Sequence, residues 1–423
     1  MKIKTSSKNY SDIMKMEKEK HMPPCKPFGP LRKLMKWLAD MELREVNFSY
    51  KKEGMERVGK DEPCLILMNH SSFIDLKICM SIFADRPFNI VCTSDGFVGK
   101  RRLMRRIGCI PTTKFVTDIQ LLKDMKYAVE KLHTSVLMYP EASYSFDGTA
   151  TPLPEGVGKC IKLLNVPVVM VKTQGAFLRD PLYNNLQTRK VDVSADVLCL
   201  FSKEETEKMS SEEINERLRQ EFSFDNFRWQ QENKISVDEE FRADFLNRVL
   251  YKCPHCFCEG KTIGQGTVLK CQECGHEYEL TEYGELIEKN GDTKFSHVPD
   301  WYRWQRECVK EEVLEGSYRL EVPVNIRVLK DYKSIYEVGE GILTHSLEGF
   351  HLVGADGQID YHQRPEASYS LYADYYWYEL GDVICIGNNK ILFYCFPKCQ
   401  GDVVAKTRLA TEELYKLSKA RMG

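Results

Sequence analysis

The stretch Asn69-His70-Ser71-Ser72-Phe73-Ile74-Asp75 directly follows the apolar run Cys64-Leu65-Ile66-Leu67-Met68. This run is too short for a buried helix and predicts a buried strand. Ser72 with an acid three residues later is typical of a capping box and predicts the start of a helix. A histidine is therefore expected at the carboxyl end of a strand, five residues before an aspartate in the first helical turn.

His70 and Asp75 form a candidate catalytic pair. A neutral imidazole held by a carboxylate is a common general base for a hydroxyl or a thiol. The spacing alone also fits a surface pair or a local helix cap, so it does not identify the chemistry by itself. Ser71 and Ser72 are candidate nucleophiles, although a helix-capping role fits Ser72 better.

Three further blocks follow along the chain. Residues 97–114 contain six basic residues and no acid, and they end in Gly108-Cys109-Ile110-Pro111-Thr112-Thr113-Lys114. An apolar strand over 136–139 then leads into Pro140-Glu141-Ala142-Ser143-Tyr144. The last block, Val166-Pro167-Val168-Val169-Met170-Val171, predicts another buried strand.

In order and spacing, these four blocks resemble the motifs of the glycerolipid acyltransferase family, the family of the 1-acylglycerol-3-phosphate acyltransferases. The resemblance covers about residues 30–200. It implies transfer of a fatty acyl group from a thioester donor, acyl-CoA or acyl-carrier protein, to the hydroxyl of a lysophospholipid. His70 would be the general base and Asp75 would orient it, with 1-acylglycerol-3-phosphate as the first candidate acceptor.

The resemblance also implies which residues bind the acceptor. It assigns acceptor binding to Gly108, Thr113 and Lys114, and acceptor positioning to Glu141. The alternative for Glu141 is a partly buried carboxylate that caps the next turn. Lys114 departs from the family pattern, which usually has an arginine here, the better pre-organised phosphate partner.

The third block departs further, because Ala142 and Tyr144 replace the glycine and the arginine that the family usually has. The missing arginine motivates a second hypothesis, a catalytically inactive lipid-binding or scaffolding protein on the same fold. The intact pair of His70 and Asp75 favours the enzyme.

The bulk composition narrows the class of protein. A length of 423 residues predicts two to three domains, and 43% hydrophobic with 29% charged residues is ordinary for a globular protein. No apolar run reaches the length of a membrane span, and the N-terminus shows no signal peptide. Most of the 16 cysteines are scattered singly, as expected of reduced thiols. We expect a cytoplasmic protein that is peripheral on the inner face of the cell membrane.

Two basic segments are candidates for membrane contact. Residues 31–38 form a basic amphipathic helix with a tryptophan, which suits a membrane interface or a helix that packs on the domain's own core. Residues 100–106 carry five basic side chains. They can meet anionic lipid headgroups, an acidic acyl-carrier protein, or only solvent.

Cys253, Cys256, Cys271 and Cys274 form a C-x2-C-x14-C-x2-C pattern typical of a zinc ribbon. Four thiolates close the coordination sphere, which predicts a structural zinc rather than a catalytic one. The ribbon carries more acids than bases, and this excludes the basic face expected of a nucleic-acid-binding module.

Short strands alternate with helices between residues 61 and 201, which predicts an α/β acyltransferase domain with a mixed sheet flanked by helices. A zinc ribbon and a β-rich C-terminal domain follow, and the latter resembles a pleckstrin-homology-like domain in outline. The predicted units are a flexible arm (1–24), the acyltransferase domain with its N-terminal amphipathic helix (25–225), a helical linker (226–250), the ribbon (251–285) and the β-rich domain with a C-terminal helix (286–423).

Overall fold

The computed structural model describes residues 2–17, 19–116, 118–289, 291–398 and 401–422. Its N-terminal segment is ordered, with strand β1 (Thr5–Ser7) and helix α1 (Tyr10–Met14). β1 pairs in parallel with a strand that begins at Ile335 in the C-terminal sheet. Ile13 is completely buried. The prediction of a flexible arm is therefore wrong for residues 5–14, because backbone pairing and one apolar side chain anchor them.

The second region contains a seven-stranded sheet with helices on its faces. Its elements are α2 (Gly29–Glu45), β2 (Ser49–Glu53), β3 (Leu65–Met68), α3 (Asp75–Ile82), β4 (Phe88–Thr93), α4 (Arg101–Ile107), β5 (Cys109–Thr112), α5 (Ile119–Glu130), β6 (Ser135–Met138), α6 (Gly156–Leu164), β7 (Val168–Gln174), α7 (Ala176–Arg179), β8 (Ser194–Phe201), α8 (Lys203–Lys208), α9 (Ser211–Glu221) and α10 (Asn226–Glu232). The strand order is β2-β8-β7-β3-β6-β4-β5, and only the β7–β8 pairing is antiparallel. The predicted mixed sheet is confirmed.

Strand β3 lies in the middle of this sheet and all four of its residues are completely buried. It runs parallel to β6 on one side and to β7 on the other. The carboxyl ends of parallel strands meet at one edge of a sheet, where α/β proteins bind their ligands. The segments after β3 and after β6 are therefore neighbours, which brings the first and third sequence blocks together.

A small antiparallel sheet follows, in the order β12-β11-β10-β9. Its strands are β9 (Thr262–Gln265), β10 (Val268–Cys271), β11 (Glu277–Leu280) and β12 (Leu286–Glu288). The helix expected over 238–250 is wrong, since only a 3-10 turn forms at Leu246–Arg248. The backbone N–H groups of Ala243 and Phe245 donate instead to Gly266 and Gly264 of the ribbon. Pairing with the ribbon thus replaces the helix that the local pattern favours, and the predicted helical linker is helical only over Asn226–Glu232.

The C-terminal region is β-rich, as predicted, and ends in a long helix. Its elements are α11 (Val298–Leu314), β13 (Arg319–Leu329), β14 (Ile335–Ser346), β15 (Gly349–Gly354), β16 (Ile359–Gln363), β17 (Tyr372–Asp374), β18 (Val383–Asn388), β19 (Ile391–Pro397) and α12 (Val404–Met422). The sheet order is β16-β15-β14-β13-β19-β18-β17, with β1 paired to β14. The likeness to a pleckstrin-homology domain stays a prediction.

One apolar cluster joins all three regions. It includes Phe146 and Phe177 beside the first sheet, Leu269 of the ribbon, Val324 of the C-terminal sheet and Leu409 of α12. Burial of such side chains is the main stabilising contribution to a fold. The C-terminal domain is therefore packed on the first sheet rather than tethered to it, and the domain boundaries stay a prediction.

Candidate active site

His70 and Asp75 are in direct contact. Nδ1 of His70 lies 3.1 Å from Oδ2 of Asp75. The same oxygen accepts the backbone N–H groups of Ser71 at 2.8 Å and Ser72 at 3.0 Å. This contact fixes the tautomer with the proton on Nδ1 and leaves Nε2 as the nitrogen that can accept a proton.

The turn before helix α3 differs in detail from the predicted capping box. The helix begins at Asp75, and the hydroxyl of Ser72 donates to Asp180 instead of capping the helix. The hydroxyl of Ser71 accepts a hydrogen bond from the side chain of Asn69 at 2.8 Å. Both hydroxyls are engaged in buried contacts, which favours the histidine over either serine as the reactive group.

Burial controls the protonation of the pair. Asp75 is 1% exposed, and no described residue donates to its Oδ1. Burial raises the pKa of Asp75, while the hydrogen bonds from the Ser72 and Ser71 N–H groups oppose this shift and favour the carboxylate form. Burial also lowers the pKa of His70 well below its usual value, and the positive charge of Lys114 adds to this. The imidazole is therefore held neutral, the form that a general base requires.

Two tyrosines enclose the imidazole ring. Its centroid lies 4.1 Å from that of Tyr139 and 3.8 Å from that of Tyr144, and Tyr144 also stacks on Phe73. Tyr144 occupies the position at which the sequence resemblance leads us to expect an arginine. The side chain that departs from the family pattern thus orients the base, and it offers no positive charge to a phosphate.

Ala142 retains the backbone shape of the glycine it replaces. Its φ is +56°, in the left-handed region that favours glycine. Its N–H donates to the carbonyl of Tyr139 at 3.0 Å and closes the turn after β6. The backbone at this position therefore has a conformation that suits the glycine expected from the resemblance.

Glu141 holds the turn that carries His70. Its Oε2 accepts the backbone N–H of His70 at 3.0 Å, and its Oε1 accepts the N–H and the hydroxyl of Thr151 at 2.8 and 3.1 Å. Burial raises its pKa to about 7. Both oxygens bind protein groups, so these contacts agree with the turn-capping alternative rather than with acceptor positioning.

A cavity of about 1240 Å³ opens beside the pair. His70, Asp75, Thr113, Lys114 and Tyr144 line it. Much of the remaining wall from the first region is apolar, with Met35, Ile107, Leu121, Leu122, Met125, Met138 and Leu153. The volume and the apolar lining suit a lipid chain.

The C-terminal domain supplies the opposite wall of this cavity. The residues concerned are Glu366, Ala367, Ser368, Tyr369, Tyr372, Asp374, Tyr375, Tyr376, Trp377, Tyr378, Glu379, Glu412, Tyr415, Lys416 and Lys419. Sequence reasoning missed them, because no local pattern indicates which distant segment packs over a site.

Gly108 does not lie on the cavity wall, in contrast to the acceptor-binding role that the resemblance implies. It ends helix α4 with φ at +98°. A Cβ atom on it would stand 2.6 Å from Cγ of Pro27, and its carbonyl accepts the side-chain amide of Asn89. Its contacts are those of a helix C-cap packed against a neighbouring segment.

We expect Gly108→Ala to lower the free energy of unfolding by about 1–3 kcal/mol, because alanine is strained at this φ and collides with Pro27. Chemical denaturation would measure the change. Gly29→Ala is the matched control, since a Cβ there meets nothing within 4 Å. Equal stability of the two variants would contradict a structural role for Gly108.

The four ribbon cysteines converge. Sγ atoms of Cys253 and Cys274 lie 3.6 Å apart, as do those of Cys256 and Cys271, and all four sulfurs lie within 4.8 Å of one another. Tetrahedral zinc with bonds of about 2.3 Å places its sulfur ligands about 3.8 Å apart. The side chains therefore fit a metal ion of this kind.

Comparison with known proteins agrees with the position of the site. The protein-family model described as Acyltransferase matches residues 49–173. A similar solved structure is the 1-acyl-sn-glycerophosphate (LPA) acyltransferase from Thermotoga maritima, with a TM-score of 0.37 and 16% sequence identity. That match covers 45% of this chain and 76% of the other. The matched family region contains His70, Asp75 and Glu141.

Proposed function

We propose that residues 49–173, which match the family model described as Acyltransferase, form the acyltransferase domain of an enzyme that acylates the free hydroxyl of a lysophospholipid. The observation that carries the proposal is the neutral imidazole of His70, held by Asp75 at the wall of a large, mostly apolar cavity. The donor is a thioester, either acyl-CoA or the acylated form of acyl-carrier protein. The family resemblance makes 1-acylglycerol-3-phosphate the first acceptor to test.

In this reaction the acceptor hydroxyl oxygen attacks the thioester carbonyl carbon while Nε2 of His70 takes the hydroxyl proton. The C–O bond forms, and the carbonyl π electrons move onto oxygen. When the carbonyl re-forms, the C–S bond breaks and the sulfur leaves with the electron pair. The proton on Nε2 passes to that sulfur, so the products are an ester and a thiol. Asp75 stabilises the imidazolium that exists between these steps.

The test is mass-spectrometric detection of acyl transfer by the purified, full-length protein. A panel of lysophospholipids, including 1-acylglycerol-3-phosphate, would be offered with each thioester donor. Product from the wild type, but not from the variant His70→Ala, supports the enzyme. No product on any acceptor would favour the lipid-binding or scaffolding alternative.

A structural zinc ion is part of the proposal, bound by Cys253, Cys256, Cys271 and Cys274. Glu288 is buried beside this cluster, with His255 Nε2 at 3.1 Å and His276 Nε2 at 3.5 Å. His276 Nδ1 in turn lies 3.3 Å from Sγ of Cys274. Such hydrogen-bonded neighbours orient metal ligands. The ion would hold the ribbon together and take no part in acyl transfer.

Peripheral membrane association is proposed from the surface of helix α2. Leu34, Trp37, Leu38 and Met41 are each about half exposed and recur at helical spacing, and Phe28 precedes them with similar exposure. A stripe of this size is unusual on a protein surface that faces only water. Among the described residues, no helix combines the length and the apolar character that crossing a membrane requires. The inner face of the cell membrane is the proposed location.

The basic helix α4 divides into two pairs of arginines. Arg101 pairs with Glu19, and Arg105 donates to the carbonyls of Met22 and Pro23, so these two hold the N-terminal segment. Arg102 and Arg106 are exposed beside the exposed Leu103. Only the second pair is therefore placed to meet lipid headgroups or an acidic carrier protein.

We expect the double variant Trp37→Ser/Leu38→Ser to weaken binding to anionic vesicles by about tenfold or more, because two large apolar side chains no longer enter the interface. Vesicle co-sedimentation would measure this. Leu314→Ser is the control, since Leu314 is equally exposed (63%) at the end of α11. Unchanged vesicle binding by the double variant would contradict the proposed membrane role of α2.

A further inference from the structure

The cavity extends from His70 to a polar corner built by both domains. Asp95 and Lys114 come from the first region, and Tyr372 and Asp374 come from strand β17. Nζ of Lys114 lies 4.3 Å from the centroid of the Tyr372 ring. No described carboxylate is close enough to Lys114 to form an ion pair with it. Its charge is therefore available to a ligand in the cavity.

The two carboxylates of this corner differ in how many of their oxygens already accept a hydrogen bond. Asp95 is 1% exposed, and its oxygens accept the N–H of Gly96 at 2.8 Å and the hydroxyl of Tyr372 at 2.5 Å. Asp374 is 9% exposed, and only its Oδ1 accepts a bond, from the N–H of Tyr375 at 3.1 Å. No described residue donates to its Oδ2. Asp374 lines the cavity, and this oxygen is not among the fully buried atoms that lack a partner, so it is open to a donor or a positive group of a ligand there.

The corner therefore contains one cationic side chain, Lys114, and one carboxylate, Asp374, that has an oxygen without a donor among the described residues. Each of these groups shifts the pKa of the other toward its charged form. Burial raises the pKa of Asp374 to about 7, against the opposing charge of Lys114. Burial lowers the pKa of Lys114, with Asp374 as the largest opposing charge. A ligand that contributes both signs of charge would stabilise both groups at once.

The basic side chains of the described cavity wall are lysines, namely Lys100, Lys114, Lys159, Lys416 and Lys419. None of the described residues that line it is an arginine, the side chain best suited to a phosphate monoester. Tyr144 stands where the family usually has one. In this corner a phosphate monoester, with about −2 charge at neutral pH, would face Lys114 but would also lie beside Asp95 and Asp374, whose negative charges repel it.

We propose that this corner is the acceptor headgroup subsite and that it takes a zwitterionic lysophospholipid, with the phosphodiester facing Lys114 and the ammonium group facing Oδ2 of Asp374. Trp377 and Tyr378 also line the cavity, and aromatic side chains attract a cation. The inference rests on the proposed acyl transfer, but it replaces the acceptor that the family resemblance implies. It also gives the C-terminal domain a role in choosing the substrate.

The experiment compares three acceptors with matched chains: lysophosphatidylethanolamine, lysophosphatidylglycerol, which lacks the ammonium group, and lysophosphatidic acid. We expect the wild type to show the highest kcat/KM with the ethanolamine lipid. Asp374→Asn should lower that value by about ten- to a hundredfold, because a charged hydrogen bond is lost. The loss for the glycerol lipid should be smaller, because that lipid has no ammonium group that contacts Asp374. Asp356→Asn, in an exposed turn outside the cavity, is the matched control.

Equilibrium binding of short-chain forms of the same three lipids, below their micelle concentration, separates this inference from the proposed reaction. Tighter binding of the ethanolamine lipid by the wild type than by Asp374→Asn supports the subsite even if no acceptor is acylated. A wild-type preference for lysophosphatidic acid would overturn it. An equal loss of binding or turnover for all three lipids in Asp374→Asn would overturn it as well.

Discussion

Replacing His70 with alanine is expected to lower the rate of acyl transfer by about 10²–10⁴-fold, the range typical of a lost general base. Nothing else on the described cavity wall combines a neutral imidazole with a supporting carboxylate. Asp75 would keep its two backbone N–H donors from Ser71 and Ser72, so the turn before α3 should survive the substitution. The loss should therefore appear in kcat/KM, measured with saturating donor, and not in the thermal stability.

A second His–Asp pair provides the control for this variant. His362 lies on strand β16, is 67% exposed, and has Nε2 3.3 Å from Oδ1 of Asp360. His362→Ala should leave the rate unchanged, because neither residue of that pair lines the cavity and both are open to water. A rate for His70→Ala within a factor of about three of the wild type would contradict the assignment of the base. So would an equal loss of rate in His362→Ala.

The parts of the site that could be predicted from sequence are those that depend on neighbours in the chain. Strand β3 has the bounds that the apolar run predicts, since four consecutive buried residues leave little choice. The contact between His70 and Asp75 follows from a strand that ends and a helix that begins within five residues. Thr113 and Lys114 line the cavity because β5 delivers them to the same edge of the sheet.

The parts that could not be predicted depend on packing between distant segments. Asp374 lies opposite Lys114 only because the C-terminal sheet packs on the first region, and no motif marks that contact. The linker over 238–250 is predicted from sequence to be helical, but backbone N–H groups of this segment donate to carbonyls of the ribbon, and these hydrogen bonds replace the helix. The role of Glu141 also depends on contacts between segments that are distant in the chain. Its place in the motif was evident, yet only the structure shows that both its oxygens bind the turn around His70 and Thr151.

Loss of the proposed ribbon metal is expected to have the largest effect on stability. The ribbon strands are three or four residues long, too short to fold on their own packing. Structural zinc sites of this type contribute about 10–16 kcal/mol of binding free energy to folding. Leu269 and Tyr278 of the ribbon belong to the apolar cluster that also contains Leu409 of α12. The effect should therefore reach the C-terminal wall of the cavity.

We expect Cys271→Ser, or exhaustive chelation of the wild type, to lower Tm by about 10 °C or more and to reduce acyl transfer, because the wall formed by residues 366–379 and α12 loses its support. Metal content and calorimetry would be measured on the same samples. Cys258→Ser is the control, because Cys258 lies near the cluster in sequence but is not among the converging sulfurs. A metal-free protein with the wild-type Tm would show that the ribbon is held by packing alone. Loss of stability with undiminished transfer would show instead that the C-terminal wall keeps its place without the ribbon.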